Sequence, residues 1–431
     1  MSKGFKETEI GRIPNEWDVK VLGSGGIARI SSGGTPDRTR LDYYEGTIPW
    51  VKSGELNDST ILDTEEHISE VALNNSSAKL FPINTVLVAM YGATVGRTAI
   101  LKRVCATNQA VCAIQAIDML TPEYLRQHLA FIRPFLLNQR YGGAQPNISQ
   151  TIIKNLKIPL PPLPEQNKIA AVLSKLQKAI EIQDNILGSL RDLKKSMMHH
   201  LFSYGLKGEK RKKTEIGLIP EGWEVASIGQ AFSVTKKPKN IKYSDYSHIP
   251  FVPMDFIDFG GVRLSKFEMR PPDKISSGTY FNEGDILIAK ITPSFENGKQ
   301  SILVNIPNHF GVATTEIIPI NEFSGKGNKY YLFYYLLKAD VRTMIASKME
   351  GSTGRQRVPV DTLMSVRIPL PSLPEQTEIA HILQAIDRKI EINEGKKAGY
   401  QDLFKTMLNN LMTGTIRVNE LDIDTAEVEA A

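Results

Sequence analysis

Residues 158–185 read IPLPPLPEQNKIAAVLSKLQKAIEIQDN, and residues 368–395 read IPLPSLPEQTEIAHILQAIDRKIEINEG. Laid on one another they agree at 14 of 28 positions, against roughly two expected by chance from average residue usage. Each copy opens on a proline-stiffened extended segment and then turns into apolar residues at helical spacing. PLPPLP by itself could also be a ligand for an SH3-like module. Its recurrence directly before both helical patterns favours a rigid entrance, with Pro164 and Pro374 in or near the first turn.

A second repeat marks where each half begins. TEIGRIPNEWDVKVLG at 8–23 matches TEIGLIPEGWEVASIG at 214–229, and Trp17 and Trp223 follow the Ile-Pro step as large anchors for a domain's first strand. Between these landmarks, 24–157 alternates short β-rich runs with Gly, Pro, Asn and Ser clusters. The clearest strand is TVLVAM at 85–90, followed by the loop YGATVGR at 91–97, a helical pattern at 124–137 and the loop GGAQPNIS at 142–149. The second half keeps the order with other words: GDILIAK at 284–290, ITPSFENGK at 291–299, a single helix at 329–345 and GSTGRQRVP at 351–359. The fold class expected is α/β (mixed α+β): two similar globular recognition domains separated by two long helices that pair as an antiparallel coiled coil. The boundaries follow as 1–157, a helical spacer with basic link at 158–213, 214–367, a second spacer at 368–418 and an acidic tail at 419–431.

The first helical stripe holds Ile169, Leu173, Leu176, Ile180, Leu187 and Leu190, with Ile186 and Leu193 on its wider edge. The second holds Ile379, Leu383, Ile386, Ile390, Leu403 and Met407. About 38 helical residues would make a rod of roughly 57 Å. Gln183 and Asn393 interrupt the stripes at equivalent points, either as register-setting amides or as residues facing solvent.

Composition narrows the classes. With 41% hydrophobic residues the chain can build real cores, and no run of 18 apolar residues offers a membrane span. The N-terminus lacks a signal peptide's apolar core, so a cytoplasmic location is expected. The two cysteines, Cys105 and Cys112, fit packing as small hydrophobes better than metal binding. Residues 158–213 carry 11 basic and 5 acidic side chains, whereas 368–431 carry 6 and 11. The excess of acid lies in the tail after Arg417, which reads as a solvated end. No phosphate loop, GxGxxG, HExxH, CxxC, methyltransferase tetrapeptide or nuclease carboxylate pattern occurs. Weight therefore shifts from catalysis to binding, and no metal site is expected.

In order, SGGTP at 32–36, IPWVKSGEL, VLVAMYGATVGR, ATNQAV at 106–111 and IPLPPLPEQNKIA closely resemble the specificity subunit of type I restriction-modification systems. So do GDILIAKITPSFENGK, GVATTE at 311–316, EGSTGRQRVP and IPLPSLPEQ, so that the resemblance covers about residues 8–418. It implies a non-catalytic DNA-binding subunit with two target recognition domains, each reading one part of a split, asymmetric sequence in double-stranded DNA. The repeated helices would pair antiparallel, set the spacing and dock two methyltransferase subunits, with a restriction subunit reached through the complex. S-adenosylmethionine, ATP and Mg would belong to those partners and none to this chain. The alternatives from other classes are a two-headed protein-binding scaffold and an unrecognised metal-dependent nuclease.

Base edges are read by side chains with paired donors and acceptors, and phosphates by cations. On the flagged loops the candidates are Thr35, Arg38, Arg40, Lys52, Tyr91, Arg97, Gln145 and Asn147 in the first domain. In the second they are Lys290, Thr292, Ser294, Lys299, Arg355, Gln356 and Arg357. Each also fits a solvated loop residue. Basic residues exceed acidic ones by only about two in each recognition domain, so the isolated chain is expected to hold DNA weakly without its methyltransferase.

Overall fold

All four residues of Val86–Ala89 are buried, as an uninterrupted VLVA run requires of a strand covered on both faces. In the computed structural model, which describes residues 4–24, 26–138, 147–260, 262–264, 266–323, 325–352 and 354–426, this strand is the middle of a five-stranded sheet. The sheet runs Ala28–Ser32, Val111–Ala116, Val86–Ala89, Thr98–Leu101, Ser59–Ile61, antiparallel except for the last pair. A four-stranded sheet, His67–Ile68, Ile48–Val51, Cys105–Thr107, Leu80–Phe81, completes the domain.

The second half repeats the topology strand for strand. Its five-stranded sheet runs Phe232–Val234, Ile317–Glu322, Ile286–Ala289, Gln300–Leu303, Arg263–Leu264, again with only the last pair parallel. Its four-stranded sheet runs Glu268–Arg270, Ile249–Val252, Phe310–Ala313, Thr279–Asn282. The duplication seen in the helices therefore extends through both domains.

The chain forms two units, residues 1–183 with 396–431, and residues 184–395. Each long helix, Leu163–Tyr204 and Leu373–Met412, contributes to both. In the first unit Ile169 and Leu173 share a core with Leu411 and Met412. In the second, Lys194 pairs with Asp387 at 2.6 Å and Arg191 with Glu394 at 2.8 Å, contacts that run in opposite directions along the two helices. The helices are antiparallel there, as expected.

Pro164 and Pro374 stand in the first turn of the two long helices, and a glutamine secures each entrance. Gln166 is fully buried and donates to the carbonyls of Pro161 and Met119 while accepting from the Thr121 amide at 2.9 Å. Gln376 does the same with Pro371, Lys326 and Asn328. One side chain thus satisfies backbone groups that the extended entrance and the neighbouring helix N-terminus would leave orphaned. Tyr124 and Tyr331 add matching bonds to the carbonyls of Pro159 and Pro369.

Several expectations need correction. The single helices expected at 124–137 and 329–345 are each two: Pro122–Phe131 with Arg133–Asn138, and Lys329–Leu336 with Ala339–Ala346. Pro134 lacks the N–H that would continue the first. In the second, Arg342 donates to the carbonyl of Leu336 at the break. Leu403 is 45% exposed, and Ile186 and Leu193 are exposed as well, so these three do not pack into a seam in this chain. A strict heptad drifts around a 3.6-residue helix, and near the helix ends the packing partner is a domain core rather than the other helix. Phe404, Met407 and Leu408 pack against the first core instead. Part of the basic link is the strand Arg211–Thr214, paired with Gly217–Pro220 as Phe5–Thr8 is with Gly11–Pro14. The tail is not simply solvated: Lys168 donates to the carbonyls of Asn419 and Leu421, Lys175 reaches that of Asp424, and Ile423 packs on Ala170 and Ala171. The remaining expected positions, Leu176, Ile180, Leu190, Ile390 and Met407, are half-buried, while Leu187, Ile379, Leu383 and Ile386 are buried.

The two interrupting amides differ. Asn393 is half-buried and donates to the carbonyl of Lys389 on its own helix at 2.7 Å. Gln183 is buried, and its Oε1 has no hydrogen-bond partner. Gln183→Leu is therefore expected to stabilise the first unit by about 1 kcal/mol, the cost of an unsatisfied buried acceptor. Urea unfolding midpoints of the two chains check this, and a destabilised variant would contradict it.

Candidate nucleic-acid interface

In the first domain the candidate loops meet at the end of the central strand. The amide of Met90 donates to the carbonyl of Ala110 at 2.8 Å, and the carbonyl of Met90 accepts from Ile148 at 2.7 Å. Thr94 donates to the carbonyl of Ser53 at 2.6 Å, Asn108 to that of Val51, and Thr35 to the side chain of Gln109. Loops around 35, 53, 91–97, 108–110 and 147 thus form one polar rim. Thr35, Tyr91, Arg97 and Asn147 lie on it, with Lys52 beside Ser53; Gln145 falls outside the described residues.

Three of the first domain's cations are already engaged within the chain. Arg38 pairs with Glu66 at 2.5 Å and lies over the rings of Tyr44 and Trp50, at 4.4 and 4.8 Å from their centroids. Lys52 pairs with Glu66 at 2.8 Å and Glu65 at 3.0 Å. Arg40 makes a two-pronged pair with Asp42. The Lys52 ammonium, hydrogen-bonded to Glu66, holds that carboxyl below the usual carboxylate range. These groups shape the rim, and their charge is partly spoken for. Arg97 is exposed, and its side chain makes no hydrogen bond or ion pair among the described residues.

The second domain builds the same rim from different side chains. The amide of Lys290 donates to the carbonyl of Glu316, its carbonyl accepts from Val358, and the amide of Thr292 donates to the carbonyl of Gln356. Arg357 pairs with Glu316 at 2.7 Å, and its guanidinium holds that carboxyl low. Thr292 bonds to Glu296, and Lys299 reaches the carbonyl of Met254 and stands over the Phe259 ring. The carbonyl of Ser294 accepts from the Lys299 amide. Arg355 is exposed and unpaired among the described residues.

Two further features stand outside the candidates named from sequence. Lys236, Lys237, Lys239 and Lys242 are exposed on the loop leading to Ile249–Val252, the place that 35–40 occupies before Ile48–Val51. Four lysines in seven residues was the available signal. The other is the set of carboxylates, Glu66 and Glu316, that orient the cations; nothing local marks them, because each partner lies far away in sequence. Among the described residues no group of three His, Cys, Asp or Glu stands close enough together to hold a metal ion. Cys105 and Cys112 are buried and free, and burial pushes the Cys112 thiol up to about 12.

Two domains of one framework, each with its own set of polar and cationic loops and each tied to long helices, define a two-headed recognition protein. The sequence profile of the type I restriction modification DNA specificity domain matches residues 14–191 and again 220–399, and the chain belongs to that family of type I specificity subunits. It is 28% identical over 428 residues to the specificity subunit of the type I restriction enzyme MjaVIII of Methanocaldococcus jannaschii, with 97% of each chain covered. The MjaIX specificity subunit of the same organism is 27% identical over 436 residues, again with 97% of each covered. The crystal structure of the type I restriction-modification system S subunit from M. genitalium superposes with a TM-score of 0.59 at 16% identity, over 92% of this chain and 96% of that one, and shares its fold.

Proposed function

We propose that each domain reads one part of a split, asymmetric DNA sequence through its loop rim. In this reading the antiparallel helices fix the separation of the two parts, on the order of one helical turn of DNA, or 34 Å. The observation that carries it is the pairing of a conserved topology with divergent rims: the sheets repeat strand for strand, while the rim carries Asn147 and Ala110 in one domain and Arg357 and Glu316 in the other. The repeated helices offer two similar faces, suited to two copies of a methyltransferase subunit in approximate twofold symmetry, and a restriction subunit would join through them. S-adenosylmethionine, ATP and Mg would be held by those partners, and this chain would deliver their chemistry to a sequence. Its site of action would be the cytoplasm, with the DNA; no helix of the described residues is long and apolar enough to cross a membrane.

The test is genome-wide adenine methylation in cells carrying this chain with its neighbouring methyltransferase, compared with cells lacking the chain. The expected result is a split, asymmetric motif that disappears with the chain. Unchanged methylation in an active system would refute the reading.

A further inference from the structure

The backbone hydrogen bonds set an exact correspondence between the two rims. Met90 and Lys290 each directly follow the central strand, each donating to the loop residue at Ala110 or Glu316 and each accepting from Ile148 or Val358. Ala110 therefore corresponds to Glu316, and Asn147 to Arg357. The scaffold at these points is the same in both domains and the side chains are not. They differ as a pair: a small neutral residue beside an amide in one domain, a carboxylate beside a guanidinium in the other.

The pair in the second domain is held rigidly. Arg357 exchanges backbone bonds with Glu350, at 2.8 and 2.9 Å, and the Glu316 amide is tied to the Thr314 hydroxyl at 3.1 Å. Nε of Arg357 lies 2.9 and 3.1 Å from the two carboxylate oxygens, and Nη2 lies 2.7 Å from Oε1. Nη1 reaches only the carbonyl of Arg355, at 3.4 Å. One edge of the guanidinium is thus occupied, and its Nη1 end is turned from the carboxylate. The free edge, an N–H of Nη1 beside the second N–H of Nη2, presents two parallel donors, the arrangement that matches O6 and N7 of guanine in the major groove. A terminal amide such as Asn147's instead offers one donor and one acceptor, matching N7 and N6 of adenine.

We infer that this position is a base-reading position in both domains: Arg357, oriented by Glu316, reads a guanine, and Asn147 reads an adenine. The inference rests on the split-site reading above. Glu316 is a positioning residue, acting through Arg357. A bare arginine on a loop samples many rotamers; one clamped along its Nε edge has lost that freedom before it meets DNA, so the contact selects a base at less entropic cost.

The experiment uses the full chain with its methyltransferase in cells, and reads the methylated motif for the wild type, Arg357→Lys and the double variant Glu316→Ala/Arg357→Asn. The wild-type motif should carry a G·C pair in one half at the place where the other half carries A·T. Arg357→Lys keeps a cation without the two-pronged end, and should admit other pairs at that single position, discrimination there falling about 10- to 100-fold. The double variant should move the same position toward A·T. A motif unchanged at every position would overturn the inference, and so would methylation that falls uniformly across all positions, which a phosphate contact or a purely structural ion pair would produce. Where a variant no longer methylates, competition binding of the purified complex to duplexes substituted one pair at a time reads the same preference, and an unaltered preference there also overturns it. A wild-type chain that directs no split motif would instead fail the underlying reading.

Discussion

Arg417→Met is expected to destabilise the first unit by about 3 kcal/mol, the scale of removing one partner from a buried ion pair. Glu165 is only 2% exposed, and its carboxylate is held by Nε of Arg417 at 2.7 Å, Nη2 at 3.0 Å and the indole N–H of Trp17 at 2.9 Å. Arg417 also pairs with Glu16 at 2.8 Å. These bonds join the start of the first long helix, the first strand region and the segment beyond the second long helix. Without the arginine, a carboxylate out of water keeps one neutral donor. The double variant Arg417→Met/Glu165→Gln should recover much of the loss, because an uncharged amide can still accept from Trp17. Glu375, the counterpart in the second unit, is half-buried and among the described residues its side chain accepts only a 3.4 Å bond from the Leu206 amide, so Glu375→Gln should cost less than about 1 kcal/mol. Chemical unfolding of the four chains, with limited proteolysis to assign the unit that opens, decides this. Equal losses for Arg417→Met and Glu375→Gln would contradict it.

Acidification from pH 6.5 toward 4 is expected to cost the first unit about 3 kcal/mol through His128 alone. The imidazole is buried, stacks on Tyr124 at 6.3 Å between ring centroids, and neither nitrogen has a hydrogen-bond partner. Burial in apolar surroundings lowers its pKa from 6.5 to about 4. The sign follows: between those values the unfolded chain binds a proton that the folded chain refuses, so stability falls as pH falls. Above pH 6.5 both states are neutral and the group has no effect on the balance. Below about pH 4 the loss is complete. Carboxylates titrate in the lower part of this window, so His128→Met is the control; its stability should lack the decline that the native chain shows between pH 6.5 and 5. Parallel declines for the two chains would rule the histidine out.

The organisation of this protein was legible because it is carried by local and periodic features. The proline-stiffened entrances, the apolar stripes and the TVLVAM and GDILIAK strands each state their structure within a few residues. Repetition then identified two domains and two helices. The rim was partly legible, since Thr35, Tyr91, Arg97, Asn147 and Arg355 to Arg357 stand on glycine- or proline-punctuated loops that the fold brings to the strand end. What stayed hidden were the partners. Arg38 and Glu66 are separated by 28 residues, Arg357 and Glu316 by 41, and Arg417 and Glu165 by 252. No window of sequence pairs them, and whether a loop arginine is free to meet DNA or already holds a carboxylate depends on that pairing.

The sequence by itself determined the duplication, the element types and the family, because backbone propensity and hydrophobic period act over short distances along the chain. Only the tertiary structure decided that Glu165 is sealed beneath Arg417, that His128 is shut away without a partner, that the acidic tail docks through Asp424, and that Glu316 aims Arg357. Those outcomes depend on which groups lose their water together, and burial is a property of the packed chain rather than of any segment of it.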